Sequence, residues 1–290
     1  MLGYVANTDF DWFTFLRSLM PPPDEVNFWR PGSRSSFSAL ASGQPFFFRL
    51  KSPHNAIGGF GYFAHYSVLP VSMAWEVYES ANGAPTFGEM RQRLLRIRER
   101  FDMETDAKQD FRIGCILLTS ATFFRDDEWV RAPSDFSGPI VQGKTYDLSQ
   151  GEGLRMWHQC LARAGSPEFV PRELPISGGY GPETTVRPRL GQRSFRVVVL
   201  DTYSRRCAIT NERTLPALEA AHIRDYHDVQ EHSINNGISF RADIHKLFDR
   251  GYVTVTPDYH FEVSKRIKEE FENGRDYYAL NGKSFAYRHE

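Results

Sequence analysis

Apolar residues recur at helical spacing from Phe10 to Leu19, and Pro21-Pro22-Pro23 ends that run because proline can neither donate to nor fit within a continuing helix. Phe46-Phe47-Phe48-Arg49-Leu50-Lys51 is a short, aromatic-rich apolar run and predicts a buried strand; Tyr62 to Leu69 predicts another. Between them Gly58-Gly59-Phe60-Gly61 allows a tight bend or a close backbone approach. Met73 to Ser80 predicts a short helix bearing Trp75, stopped at Asn82-Gly83. Phe87 to Phe101 predicts a firmer one, with Thr86 and Glu89 spaced as a capping box and basic residues in its later turns. Ile113 to Phe124 predicts a strand, Gly138 to Leu148 one or two more, and Gly153 to Ala162 a closing helix. Short strands interleaved with helices predict an α+β fold built on a small curved sheet rather than a doubly wound parallel one.

Periodicity disappears after Gly165, and prolines and glycines crowd Pro167 to Pro182. The pattern therefore predicts a first domain over residues 1–164, a linker over 165–188 and a second domain over 189–290. The second domain opens on a helix from Ser194 to Tyr203, with Ser194 at its cap. It closes on strands at Tyr252 to Val255 and Phe261 to Ser264 and a helix from Lys265 to Phe271.

Composition narrows the reading only a little. The chain has 290 residues, enough for two cores, and its 35 basic and 36 acidic side chains leave a net charge of −1. Any nucleic-acid contact must then come from local patches. One such patch is Arg187, Arg189, Arg193, Arg196, Arg205 and Arg206, set against the single acid Asp201; Arg189, Arg193, Arg196, Arg205 and Arg206 are candidate DNA-backbone contacts, and the bland reading is a solvated helix face. The three cysteines, Cys115, Cys160 and Cys207, have no paired spacing, which excludes a four-cysteine zinc knuckle and suits a reducing compartment. With no apolar run long enough to span a bilayer, the expectation is a cytoplasmic protein without a membrane partner.

The densest chemistry lies between Leu218 and Gly251, where four of the nine histidines stand beside Asn235, Asn236, Asp243 and Asp249. An apolar run leads to His222, a polar loop and the Asn236-Gly237 turn follow, and a helix then carries His245 and Asp249. Residues four apart share a helix face, so His245 and Asp249 can address one ion. A histidine at a strand end can meanwhile deprotonate a water.

The run LEAAHI … NNGI … RADIHKLFDRGYVTV resembles the HNH, or ββα-metal, endonucleases over roughly Cys207 to Val263. The resemblance implies that His222 is the general base and Asn236, or Asn235 if the register is one off, orients it. It implies that His245 and Asp249 ligate a divalent ion: Mg²⁺ or Mn²⁺ first, Ni²⁺ or Zn²⁺ from the same N,O set. Many members carry a ligand directly before the base, where this chain has Ala221. Asp243 could supply the missing donor or cap the helix; the two readings stay open. His227 and His232 fall in the loop and read as surface or phosphate-contacting residues.

The first half resembles the PUA-like superfamily, which includes EVE, SRA and ASCH domains, through Trp29-Arg30-Pro31, Phe46 to Lys51, Pro53 to Phe60, and Ile140-Val141-Gln142-Gly143-Lys144 followed by Tyr146. That resemblance implies a curved β-sheet or barrel with flanking helices and an aromatic pocket for a flipped base. Trp29, Phe48, Phe60 and Trp75 are candidates for stacking, with Lys51 and Asn55 as polar readers. Together the two resemblances imply a modification-dependent restriction endonuclease. Its partner would be double-stranded DNA carrying 5-methyl- or 5-hydroxymethylcytosine, and it would act as a homodimer because cutting two strands takes two sites. The rival readings are an HNH nuclease recognising phosphorothioate or unmodified DNA, and a non-catalytic nucleic-acid binder, which Ala221 alone favours.

Overall fold

The aromatic run at residues 45–50 lies inside a sheet covered on both faces, which is why it is apolar without alternation. The structure, a computed structural model, describes residues 1–103, 110–136, 140, 142–165, 191–224 and 234–285. It divides into two units, Met1–Arg189 and Leu190–Glu290. In chain order the first holds β1 (Leu2–Thr8), α1 (Phe10–Ser18), β2 (Val26–Arg30), β3 (Pro45–Leu50), β4 (Ala56–Pro70), α2 (Val71–Tyr78), α3 (Phe87–Arg100), β5 (Arg112–Phe123), β6 (Val130–Arg131), β7 (Gly143–Asp147) and α4 (Gly151–Arg163).

The strands form one seven-stranded sheet in the order β2-β5-β4-β3-β1-β7, with β6 added to β4. Among the described residues β1 and β3 run parallel and the other strand pairs of this sheet are antiparallel. The sheet curls. Arg30 at the end of β2 donates to the Gln142 side chain beside β7 at 2.7 Å, although those strands are the two ends of the order. Two shifts of register between β4 and β5, at Phe60/Tyr62 and Phe63/His65, are irregularities of the kind that bend a strand.

Alternation sorts the side chains of each strand onto two cores. Ala6, Phe46, Phe48, Phe63, Ile116 and Leu118 share the inner core with Trp12, Phe13 and Leu16 of α1. Val5, Phe47, Ile57 and Phe60 point the other way, onto Met156, Trp157 and Cys160 of α4. Trp157 meets Phe47 and Phe60 edge to face, with ring centres 5.7 and 5.3 Å away. The cap of α3 is present: the Thr86 hydroxyl accepts from the Glu89 amide at 3.2 Å. Strand β1 has no counterpart in the sequence reading, and Trp29 lies in β2.

The second unit holds α5 (Gln192–Thr202), β8 (Leu218–His222), β9 (Gly237–Arg241), α6 (Ala242–Asp249), β10 (Val253–Val255), β11 (Phe261–Val263), α7 (Arg266–Phe271) and α8 (Arg275–Tyr278). Strands β8 and β9 pair antiparallel with His222 opposite Gly237, and β10 pairs with β11. Helix α5 begins after Gly191, so Ser194 is buried within its first turn rather than capping it. Among the described residues no helix is long and apolar enough to cross a membrane.

Because Phe47 is fully buried against α4, Phe47→Ala is expected to destabilise the first unit by roughly 3–5 kcal/mol. Denaturant unfolding followed by tryptophan fluorescence checks this; a loss under about 1 kcal/mol would mean α4 does not depend on that contact.

Candidate nuclease site

The hairpin β8–β9 and helix α6 make a ββα unit, and the hydrophobic pattern explains its packing. Leu218 and Ala221 of β8, Ile238 and Phe240 of β9 and Ile244 of α6 are all buried. Gly237, at the start of β9, is a place of close approach: a Cβ there would stand 2.3 Å from Val199 of α5. Helix α5 thus lies directly against the strand partner of His222.

Three polar clusters are built on this frame. In the first, Asn236 is buried and closes the loop entrance: its Oδ1 accepts from the Arg224 amide at 2.7 Å and its Nδ2 donates to the Arg224 carbonyl at 2.9 Å. Its own carbonyl accepts from the Ile223 amide at 2.8 Å. The backbone just after His222 is thereby tied to the residue that precedes β9. In the second, the His222 imidazole lies flat on the Phe195 ring of α5, with centres 4.1 Å apart and planes 5° from parallel. In the third, His245 Nδ1 is 2.7 Å from Glu219 Oε2, and His245 Nε2 is 3.3 Å from Asp249 Oδ2.

The third cluster meets the donor chemistry of a divalent ion. With an ion bound, a proton shared between Nδ1 and Glu219 would leave the Nε2 lone pair and the Asp249 oxygen to face the ion. His245 and Asp249 would hold the ion, and Glu219 would hold His245. Among the described residues no group of three His, Cys, Asp or Glu gathers to hold an ion, so water would fill the remaining positions of a hard cation. Such an ion supplies charge to stabilise a phosphoryl group in transit.

Asp243 stands outside this set. Both its oxygens are taken by Arg241, at 2.6 and 2.7 Å, and the Tyr277 hydroxyl donates to one of them at 3.2 Å. The Arg241 guanidinium holds its carboxyl below the usual range. Two residues from His245 on a helix, it also points elsewhere. Nor does it cap: the cap position is Arg241. The two side-chain hydrogen bonds to Arg224 are made by Asn236.

Of the arginine candidates, Arg189 lies outside the described residues, as do His227 and His232. Arg193 and Arg196 sit on α5, whose Phe195, Val197, Val198, Val199 and Leu200 are buried, so this is a packed helix with a narrow polar edge rather than a solvated basic one. Arg205 pairs with Asp201 at 2.7 Å, and Arg206 donates to Asn211 at 3.1 Å.

The six residues expected to line a base pocket do not converge. Phe48 and Phe60 are buried in different cores on opposite faces of the sheet. Trp29 is half-buried, its Nε1 donating to the Asn82 carbonyl at 2.8 Å, and Trp75 packs towards Phe87. Lys51 and Asn55 are exposed in the turn before β4, whereas Trp29 pairs with Cys115, which pairs with Ser67 towards the far end of β4. Strand pairing separates the two groups by most of that strand's length.

Residues 207–256 match the family of HNH endonucleases. The second unit carries an HNH endonuclease domain. His222, Asn236, His245, Asp249 and the newly placed Glu219 all fall within the matched segment, while Phe195 precedes it. The HNH endonuclease is a hydrolase acting on DNA. No curated protein sequence matches the chain. Among solved structures the chain is similar to ASCH from Zymomonas mobilis, at 14% identity and a TM-score of 0.34, covering 53% of this chain and 92% of that one. Two single-substitution mutants of the same bacterial ASCH protein give 14% and 13% identity and TM-scores of 0.35 and 0.36, covering 53% of this chain and 94% and 92% of theirs.

Sequence spacing could not have found Glu219, because its partner is 26 residues away and meets it only once the helix folds onto the hairpin. Glu219→Ala is expected to weaken Mn²⁺ binding about 10- to 100-fold, the usual effect of removing a ligand's outer carboxylate. His222→Ala should leave Mn²⁺ binding within about twofold, since the carboxylates placed on the two nitrogens of His245 are those of Glu219 and Asp249. Calorimetric titration of the apo protein measures both, and equal losses in the two variants would contradict the separation of base and ligand clusters.

Proposed function

We propose that this chain is a modification-dependent restriction endonuclease, in which the first unit senses a modified base in double-stranded DNA and the HNH domain cleaves the backbone. The observation that carries the nuclease half is the set His222, Asn236, His245 and Asp249, all inside the matched HNH segment, with Glu219 behind His245. The reading of the other half rests on a first unit with two cores of its own, which a bare HNH hydrolase does not need for chemistry. The mark is 5-methyl- or 5-hydroxymethylcytosine and the substrate foreign DNA.

In the proposed reaction His222 Nε2 or Nδ1 accepts a proton from the attacking water, and the new P–O bond forms as the bond to the leaving oxygen breaks. Phe195 keeps the imidazole plane fixed and Asn236 fixes the backbone beside it. His245 and Asp249 would hold Mg²⁺ or Mn²⁺, which would supply positive charge beside the phosphoryl group. Cutting both strands uses two copies of the site, so the working form is a homodimer in the cytoplasm.

The test is cleavage of duplexes carrying plain, methylated, hydroxymethylated or glucosylated cytosine, or phosphorothioate, each with Mg²⁺, Mn²⁺ or Ni²⁺. Cutting confined to a modified-cytosine substrate and abolished by chelator is the expected result. Cutting of phosphorothioate DNA alone would name a different mark, and equal cutting of all would remove the sensor. His222→Ala is expected to lower the rate by about 10²- to 10⁴-fold with DNA binding intact, the range for loss of a general base. Cleavage by that variant at the wild-type rate would dismiss His222 from the chemistry.

A further inference from the structure

Two cations of the first unit, Arg49 and Arg30, are held in place by neutral oxygens. Arg49 on β3 donates from Nη1 to Asn7 Oδ1 at 2.6 Å and from Nη2 to Asn55 Oδ1 at 3.1 Å. Its guanidinium lies over the Phe136 ring at 4.4 Å. Arg30 at the end of β2 donates from one nitrogen, Nη2, to Ser35 Oγ at 3.0 Å and Gln142 Oε1 at 2.7 Å. Every one of these acceptors is an amide or hydroxyl oxygen. Among the described residues neither arginine has a carboxylate within ion-pair distance.

The two sites are neighbours. Asn7, which holds Arg49, donates its backbone amide to the Gln142 carbonyl at 2.8 Å, and Gln142 holds Arg30. The Asn7 side chain is itself oriented by the Ile140 carbonyl, at 2.7 Å. Gly143 lets the chain lie this close to β1: a Cβ there would meet the Val5 carbonyl at 2.4 Å and the Tyr4 ring at 2.7 Å. Asp135, next to Phe136 in the chain, is already neutralised, because it accepts from Lys144 at 2.6 Å and from the Tyr146 hydroxyl at 2.9 Å. Tyr4 and Tyr66, near Arg30, are neutral phenols whose hydroxyls burial pushes further from ionising.

Half-buried cations are ordinarily paired, because desolvating a charge without compensation is costly. Here amide and hydroxyl oxygens orient two guanidinium groups and leave their charge unspent. Resting on the reading of the first unit as a DNA sensor, we propose that Arg30 and Arg49, held by Gln142, Asn7 and Asn55, form a strip that binds successive phosphates of the DNA backbone. Arginine suits this because each terminal nitrogen carries two N–H groups, so one can meet a phosphate oxygen while the other stays on its amide or hydroxyl acceptor. The strip positions DNA on the sensor and reads no sequence, since phosphates carry none.

The experiment is fluorescence anisotropy of the full chain with plain and modified duplexes in EDTA, at several salt concentrations. Arg49→Gln and Arg30→Gln should each weaken both duplexes about five- to tenfold and lower the slope of log affinity against log salt by about 1, and the double variant by about 2. Arg49→Lys should keep most of the slope. Asn55→Asp, which leaves Arg49 in place but gives it an internal counter-charge, should weaken binding more than Gln92→Glu on the exposed face of α3. Folded variants, verified by thermal unfolding, that bind with wild-type affinity and slope would overturn the strip and leave the arginines structural. A deoxynucleoside monophosphate that competes as tightly as duplex would also overturn it, in favour of a small-nucleotide site. Failure of the wild type to distinguish modified from plain DNA would instead remove the sensor reading, and the salt slopes would still decide the strip.

Discussion

The 2.7 Å contact between Glu219 and His245 joins the hairpin to the helix that completes it, and the nuclease half depends on that junction. It reaches from β8 to α6 across 26 residues. A carboxylate at Nδ1 selects one tautomer and orients the ring, so the second nitrogen and Asp249 present a donor pair to an ion. The apolar contacts of Leu218, Ala221, Ile238, Phe240 and Ile244 hold the same elements together without specifying a ring orientation. The polar contact supplies the specificity that apolar packing lacks.

His222 is served from the other side. Three residues beyond Glu219, it falls on the opposite face of an alternating strand, where α5 offers the flat Phe195 ring. The helix that carries this ring lies outside residues 207–256, so the folded nuclease is larger than the segment by which it is recognised. Arginines on α5 are part of a packed helix for the same reason. Its sequence looks basic because the buried residues are interspersed with arginines on the remaining narrow edge.

In the first unit, curvature brings the two ends of the sheet together. A flat sheet would keep β2 and β7 at opposite ends; the curled one brings Arg30 to Gln142 and sets it beside the Asn7–Arg49 pair. The interior aromatics serve the core on either face. Phe46 and Phe48 pack inward and Phe47 outward, which leaves none of the three exposed for a base to stack on.

By itself the sequence determined the α+β class and most helices and strands, and it singled out His222, Asn236, His245 and Asp249 as candidates, because those depend on local periodicity and on a motif of fixed order. It could not place β1, whose strand identity comes from pairing with β3 and β7 far along the chain. It also left Asp243 between ligand and cap; only the folded chain brings Arg241 and Tyr277 onto its oxygens. The same holds for Glu219, Phe195 and Arg49. Each acquires its partner through a contact between elements distant in sequence, and residue type and spacing carry no record of such contacts until strand register and sheet curvature are set.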